Sequence, residues 1–287
     1  MLNIAFGRFE GRPRRVARAT FVYCLLIGLG FLFAMPLVWL ASTSLKSNEQ
    51  VGTWPPVWIP YPFIWENYGV AWTSGHFGLY FFNTATITVL ATIGQLLTAS
   101  MAAYGFARLR FPGREFLFAV LLATLMLPFV VTMIPTFILF KNLGWLNSFK
   151  PLIVPSYFGG GAFFIFLLRQ FFKTLPTEMF EQATIDGASN YRIYLQILLP
   201  LSKPALSTVA IFGFMQHWND FLGPLIYLNS PEKFTLALGL RQFIQRTEVR
   251  YQEMMAMALM MTLPVLLVFF FFQQYFIRGV VMSGIKG

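Results

Sequence analysis

The sequence predicts an all-α polytopic membrane protein with six transmembrane helices, both termini cytoplasmic, and a protruding helical loop between helices four and five. Three observations predict it: an apolar composition, charge-free runs of bilayer length, and basic residues gathered in alternate loops. Of 287 residues, 57% are hydrophobic and only 11% are charged. A soluble domain carries about 25% charged residues, so lipid is the main solvent of this chain. Charged residues are absent from 19–45, 116–140, 151–168 and 254–277. Each run is near the ~20 residues that a helix needs to cross roughly 30 Å of hydrocarbon. A longer gap, 67–107, holds a loop and then an apolar stretch from Phe81 to Tyr104, and 204–228 is interrupted only by Asp220.

The spans are therefore expected near 20–41, 81–105, 116–140, 152–171, 204–228 and 254–277, in one transmembrane domain covering 1–287. Basic residues in short loops set the orientation. With the N-terminus inside, the inner segments hold Arg8, Arg12, Arg14, Arg15, Arg18, Arg108, Arg110, Arg114, Arg169, Lys173, Arg192, Lys203, Arg278 and Lys286. The outer ones hold Lys46, Lys141, Lys150, Lys233, Arg241, Arg246 and Arg250, so the ratio is fourteen to seven. The net charge of +10 is thus spent on topology and does not indicate nucleic acid. The first apolar run, about 22 residues long, exceeds a signal-peptide core and lacks a small-x-small cleavage site, so it is expected to be retained. Cys24, inside that run, is the single cysteine, which excludes an intrachain disulfide.

Two outer loops stand out. Residues 42–80 contain Trp54-Pro55-Pro56-Val57-Trp58-Ile59-Pro60-Tyr61-Pro62-Phe63. The prolines exclude a regular helix, and the aromatics suit either the membrane–water interface or docking of an external partner. Residues 229–253 mix charged and apolar side chains and are expected to form a short helix on the membrane surface.

The inner loop 173–203 is longer than a connector between adjacent spans requires. Thr174 or Thr177 can cap a helix, with Pro176 tolerated in its first turn and Glu178 near the positive end of its dipole. Phe180, Ala183, Thr184 and Gly187 recur at i, i+3, i+4 and i+7, a stripe of mostly small residues suited to a knob that a partner grips. Asp186-Gly187 ends that helix, because glycine accepts the left-handed conformation. Ser189 can cap a second helix, apolar through Ile193, Ile197 and Leu198, which Pro200 should stop.

Glu181, Ala183, Gly187, Ile197, Leu199 and Pro200 match Glu-Ala-Ala, three residues, Gly, nine residues, Ile-x-Leu-Pro, with Gln182 in place of the first alanine. On this pattern the chain resembles the permease subunits of ATP-binding-cassette importers. Asn83-Thr84, Ala103-Tyr104-Gly105-Phe106-Ala107-Arg108, Trp218-Asn219-Asp220-Phe221 and the end from Tyr275 to Gly287 resemble the carbohydrate-uptake branch, and within it the six-span permease of the maltose-importer type. The resemblance implies that the loop helix docks in a cleft on a cytoplasmic ATPase subunit through Glu181, Gln182, Ala183, Asp186, Gly187, Ile197, Leu199 and Pro200, with Glu181 in a salt bridge. It implies a second permease in a heterodimer, two ATP-binding subunits carrying ATP and Mg, an extracytoplasmic substrate-binding protein, and a bacterial or archaeal inner membrane. No cofactor is expected in this chain, which lacks a Walker motif and hydrolyses no ATP alone.

Asp220 is the acid well inside an expected span. A charge there is expensive and should face protein or water. It either lines a substrate path with Gln216, Trp218 and Asn219, the indole stacking on a sugar, or pins helix packing. His76 and His217 are too far apart in sequence for a metal site. Gly159-Gly160-Gly161 is not followed by a phosphate-loop lysine and reads as a kink or close helix approach. The methionines at 254, 255, 257, 260 and 261 read as adaptable packing. Two other classes compete: a self-sufficient secondary transporter, disfavoured by six spans without an internal repeat or coupling-ion site, and a membrane enzyme, which would want paired catalytic groups. Within the importer reading, an anionic solute such as a uronate oligosaccharide or glycerol phosphate is the alternative cargo.

Overall fold

The computed structural model describes residues 12–244 and 249–284, with side chains from 16 to 273 apart from 245–248. The N-terminal residues before Arg12, Arg246 and the Lys286-Gly287 end lie outside the described residues, as do the side chains of the Tyr275–Gly279 segment. The described chain is helical throughout its regular structure: α1 (Arg12–Ser44), α2 (Asn48–Val51), α3 (Glu66–Thr73), α4 (Phe77–Arg108), α5 (Arg114–Ala123), α6 (Phe129–Asn142), α7 (Lys150–Ile153), α8 (Ala162–Thr174), α9 (Thr177–Ile185), α10 (Asn190–Ile193), α11 (Leu199–Leu201), α12 (Lys203–Trp218), α13 (Leu222–Tyr227), α14 (Leu236–Gly239) and α15 (Tyr251–Gly284). Four stretches are long and apolar enough to cross a membrane, Val16–Ser44, Phe77–Arg108, Lys150–Thr174 and Tyr251–Gln273. Two bent pairs raise the number to six if each is one crossing.

One of those bends interrupts a helix that a charge-free run suggests; the other, at Ser202, precedes the run 204–228. Over 116–140 the chain forms α5 and α6, bent by 99°. Leu127 and Pro128 between them are extended, at ψ 113° and 138°, because proline donates no N–H and its ring disfavours helical backbone in the residue before it. The run 152–171 is likewise interrupted. α7 passes into a 3-10 turn, and Gly159, Gly160 and Gly161 follow, all at positive φ. The run 204–228 ends as a helix at Trp218 and resumes as the short α13.

The chain forms two compact units. One comprises residues up to Ala71 together with Arg250–Leu259. Here the loop after α1 folds back on the helix end: Asn67 Nδ2 donates to the carbonyls of Ser44 and Lys46, each at 2.9 Å, and the Ser42 hydroxyl to that of Trp58 at 2.6 Å. Lys46 is buried, its amine 3.8 Å from the Trp39 ring centroid, and burial lowers the pKa of that amine. Trp54, Ile59, Tyr61 and Trp65 remain exposed.

The other unit, Trp72–Val249 with the chain from Met260, is organised on α4. Near the start of α4, Asn83 Nδ2 donates to the carbonyls of Glu232 and Phe234, and the Thr84 hydroxyl accepts from the Leu236 N–H at 2.9 Å. Leu236, Ala237 and Leu238 are buried. Residues 229–244 therefore pack against α4 as short turns instead of forming a helix on the membrane surface. Their apolar side chains find protein before lipid. Ile87, Phe140, Leu152, Tyr227 and Leu228 share a core there.

The glycines at 159–161 serve both kink and close approach. A Cβ on Gly160 would lie 2.6 Å from the Ala99 backbone nitrogen and 2.7 Å from the Gln95 carbonyl oxygen, so the turn before α8 rests directly on the α4 backbone.

Candidate functional site

Residues 173–203 fold into two short helices fixed to the C-terminal half of α4. The signals differ from those expected. Neither threonine caps α9: the Thr174 hydroxyl donates to the Phe171 carbonyl at 2.7 Å, and Pro176 occupies the cap position without a side-chain bond. Proline there sets an extended entry and donates nothing that needs a partner. At the other end the reading of Gly187 holds. Its φ is +79°, its N–H donates to the Thr184 carbonyl at 3.1 Å, and the Ala188 N–H donates to that of Ala183 at 2.9 Å. This 6→1 and 5→2 pair is a Schellman ending. The Ser189 hydroxyl then accepts from the Arg192 N–H at 3.3 Å and caps α10.

Pro200 does not stop the second helix. Residues Tyr194–Leu198 form a π-turn, Pro200 sits in α11, and the chain breaks at Ser202, followed by an 80° bend into α12. A wider turn accommodates a residue that cannot donate. Phe180, Ile193, Tyr194 and Leu198 share one buried cluster with Ala99, Ala103 and Tyr104 of α4, Leu168 and Phe172 of α8, and Val209 of α12. Ile197 and Leu199 pack against its edge, while Pro200 is exposed. The Tyr194 and Ser100 hydroxyls meet at 2.7 Å inside it.

The small stripe divides: Phe180 is buried and Ala183 half-buried against the chain's own core, whereas Thr184 and Gly187 are exposed. The aromatic ring has more to gain from burial than the polar residues around it. The outward face carries Glu178, Glu181, Gln182 and Asp186, and at its end Ile185, 84% exposed. Tyr191, on α10, is 70% exposed. An apolar tip bordered by three carboxylates thus projects on a helix held at both ends. Neither Ile185 nor Tyr191 emerged from the sequence, where an apolar residue on a short helix reads as core.

A Cβ on Gly187 would meet open space, so substitution there tests backbone conformation alone. Gly187→Val should cost about 1–2 kcal/mol at the end of α9 and unwind its last turn. Gly187→Asn, which adopts the left-handed region more readily, should restore most of the loss. Amide exchange over α9 checks both.

An arginine outside the motif braces this end of the unit. Arg169, buried on α8, donates through Nη2 to both Glu115 carboxylate oxygens at 3.0 and 2.8 Å and through Nε to the Phe106 carbonyl at 3.2 Å. Its guanidinium lies 3.8 Å from the Phe118 ring centroid. Arg169→Ala should cost about 2–3 kcal/mol, from a charged hydrogen bond to a half-buried carbonyl and the lost stem packing. A fall in melting temperature in detergent checks this.

The four residues expected along a substrate path separate. Gln216 and Asn219 are exposed and Asp220 is half-buried. Trp218 is 3% exposed: its indole N–H donates to the Met261 carbonyl at 3.0 Å, Phe214 stacks on it at 5.3 Å and Phe81 meets it edge-on. It offers no free face to a sugar. Asp220 Oδ1 accepts from the Gly223 N–H at 3.1 Å, opening α13. Among the described residues no cluster of metal-ligating side chains occurs.

With this geometry in view, comparison with known proteins places the chain. It is 34% identical over 93% of its length, and 88% of the relative's, to the diacetylchitobiose uptake system permease protein of Streptomyces coelicolor. It is 36% identical over 78% of both chains to the arabinooligosaccharides transport system permease protein of Halalkalibacterium halodurans. It is 33% identical over 91% of its length, and 96% of the relative's, to the sn-glycerol-3-phosphate transport system permease protein of Yersinia enterocolitica. In fold it matches a chain of a bacterial ABC transporter involved in the import of the acidic polysaccharide alginate, with TM-score 0.80 and 24% identity over 94% of this chain and 100% of that one. The family model of binding-protein-dependent transport system inner membrane components matches residues 95–282. The chain belongs to that family, a family of membrane transport components and not of enzymes.

Proposed function

We propose that this chain is one of two permeases in an ATP-driven importer of a carbohydrate, forming half of the translocation path in a bacterial inner membrane with both termini cytoplasmic. The observation that carries the reading is the acid-bordered tip of α9, rigid and pointing away from the unit that holds it. A mere connector has no reason to expose Ile185 while burying Phe180. A flexible lever would absorb applied work in its own disorder, whereas the Schellman ending and the shared core hold α9 stiff. The tip docks on a cytoplasmic ATP-binding subunit, with Glu181 meeting a basic residue there and Asp186, Gly187 and Gln182 keeping the helix end in shape. ATP and Mg bind on those two subunits. A substrate-binding protein delivers solute from outside.

The carbohydrate class follows the relatives named for diacetylchitobiose and arabinooligosaccharides. Gln216, Asn219 and Asp220 face the path, with Trp218 as the packed wall behind them. An anionic solute is the second reading, supported by the relative named for glycerol phosphate and by Arg241, which borders a cavity of about 550 Å³ with Asn229 and Gln242.

Purification from the native membrane tests the assembly. The chain should be recovered with a second permease and a soluble ATPase. Uptake by this chain alone in liposomes would overturn the reading. A thermal-shift screen of the cognate binding protein against neutral and anionic oligosaccharides decides between the two cargoes.

A further inference from the structure

Arg108 ends α4 and has no part in the outward face of α9, yet three elements converge on its guanidinium. Nη2 donates to the carbonyls of Phe172 at 2.5 Å and Leu175 at 2.7 Å. Nη1 reaches the Thr177 hydroxyl at 3.4 Å, and the guanidinium carbon lies 4.2 Å from the centroid of the buried Phe180 ring. The chemistry of the chain explains the need. Pro176, four residues after Phe172, has no N–H to give its carbonyl, which takes only a long bond of 3.4 Å from the Leu175 N–H. A cation at a helix C-terminus is favourable, and a planar fork can serve two carbonyls at once where an ammonium serves as a point charge. Arg108 therefore caps α8 from another helix and, by lying on Phe180, seats α9 at the same time.

We propose that Arg108 is a positioning residue for coupling: it locks the docking helix α9 to α4, so that force applied at the tip displaces α4 instead of rotating α9 about the Pro176 entry. The argument rests on the reading of α9 as the docking helix. The apolar ties of α9 to the bundle are Phe180 and Ala183, near its start and middle. Without the arginine the start of α9 loses its polar tie, and the helix can tilt about these contacts between its Pro176 entry and Ala188, which packs on the same core just past its end.

The test uses the whole transporter with Arg108→Gln and Arg108→Lys, measuring ATPase recovery, ATP hydrolysed per solute imported, and amide exchange over 177–185. Arg108→Gln should assemble as wild type, show faster exchange confined to α9, and import less solute per ATP by about tenfold, within the usual span of coupling between sites. Arg108→Lys should recover part of the ratio, because an ammonium reaches the carbonyls but not the ring plane. An unchanged ratio in Arg108→Gln overturns the proposal. So does a loss accompanied by faster exchange across α4, α8 and α12 and unrelieved by lysine, which would make Arg108 a general stabiliser. If the wild-type chain itself recovers no ATPase, the docking reading fails, an outcome distinct from either result with the variants.

Discussion

Gly160→Val should be the most damaging single substitution in the unit built on α4. Two costs combine at this position. A side chain there sits at φ +59°, a left-handed conformation that costs about 1–2 kcal/mol for an L-residue. Its Cβ would also fall 2.6–2.7 Å from the nitrogen and Cβ of Ala99 and the carbonyl of Gln95. Those atoms are mostly backbone, so no side chain can swing away, and forcing α8 outward separates Leu168 and Phe172 from α4. Overpacking of this kind costs about 1–3 kcal/mol more. Against a total stability of about 5–15 kcal/mol, the sum removes a large share. The expected result is poor accumulation in the membrane and a strongly lowered melting temperature. Gly159→Ala, where a Cβ meets nothing within 4 Å, should suffer the conformational cost alone. Equal melting temperatures for the two variants would show that the close approach is unimportant.

Ile185→Asp should have the largest effect on function with the least on folding. The side chain is exposed, so the isolated chain loses no packing. Burying an isoleucine in a partner's cleft contributes about 1.5–3 kcal/mol, and a fourth carboxylate beside Glu178, Glu181 and Asp186 must then be desolvated in its place. Affinity for the ATP-binding subunit should fall about a hundredfold, at 1.4 kcal/mol per tenfold, with the melting temperature of the permease unchanged. Ile185→Leu should retain binding. Titration of the purified subunit against both variants in detergent measures the difference.

What the sequence reveals depends on how local the controlling interaction is. The apolar runs, the Gly187 ending and the Ser189 cap are settled by neighbouring residues, and each was legible. Proline shows where that reasoning stops. Pro36, Pro135 and Pro264 lie within continuous helices, and Pro200 is absorbed by a π-turn, whereas Pro128 marks a 99° bend. The residue is the same; packing and the conformation of the preceding residue decide the outcome. The inward turn of Phe180 has a similar origin. Its stripe was visible, but which of its residues turn toward the chain depends on α4, which is distant in sequence. Arg108 and Arg169 looked like topology anchors because basic residues at span ends usually are. Their carbonyl and ring partners are tertiary. Trp218 looked available beside Asp220 because its cover includes Phe81, over a hundred positions away, and Met261, 43 positions away.

On the proposed function, the tip of α9 lies in a cleft of an ATP-binding subunit when the transporter is assembled. A photoactivated cross-linker placed at position 185 in the whole transporter tests it most directly, with position 216 as the control. An adduct is expected between position 185 and the ATP-binding subunit, and none from position 216. An intact transporter in which position 185 links only to lipid or to the second permease would contradict it.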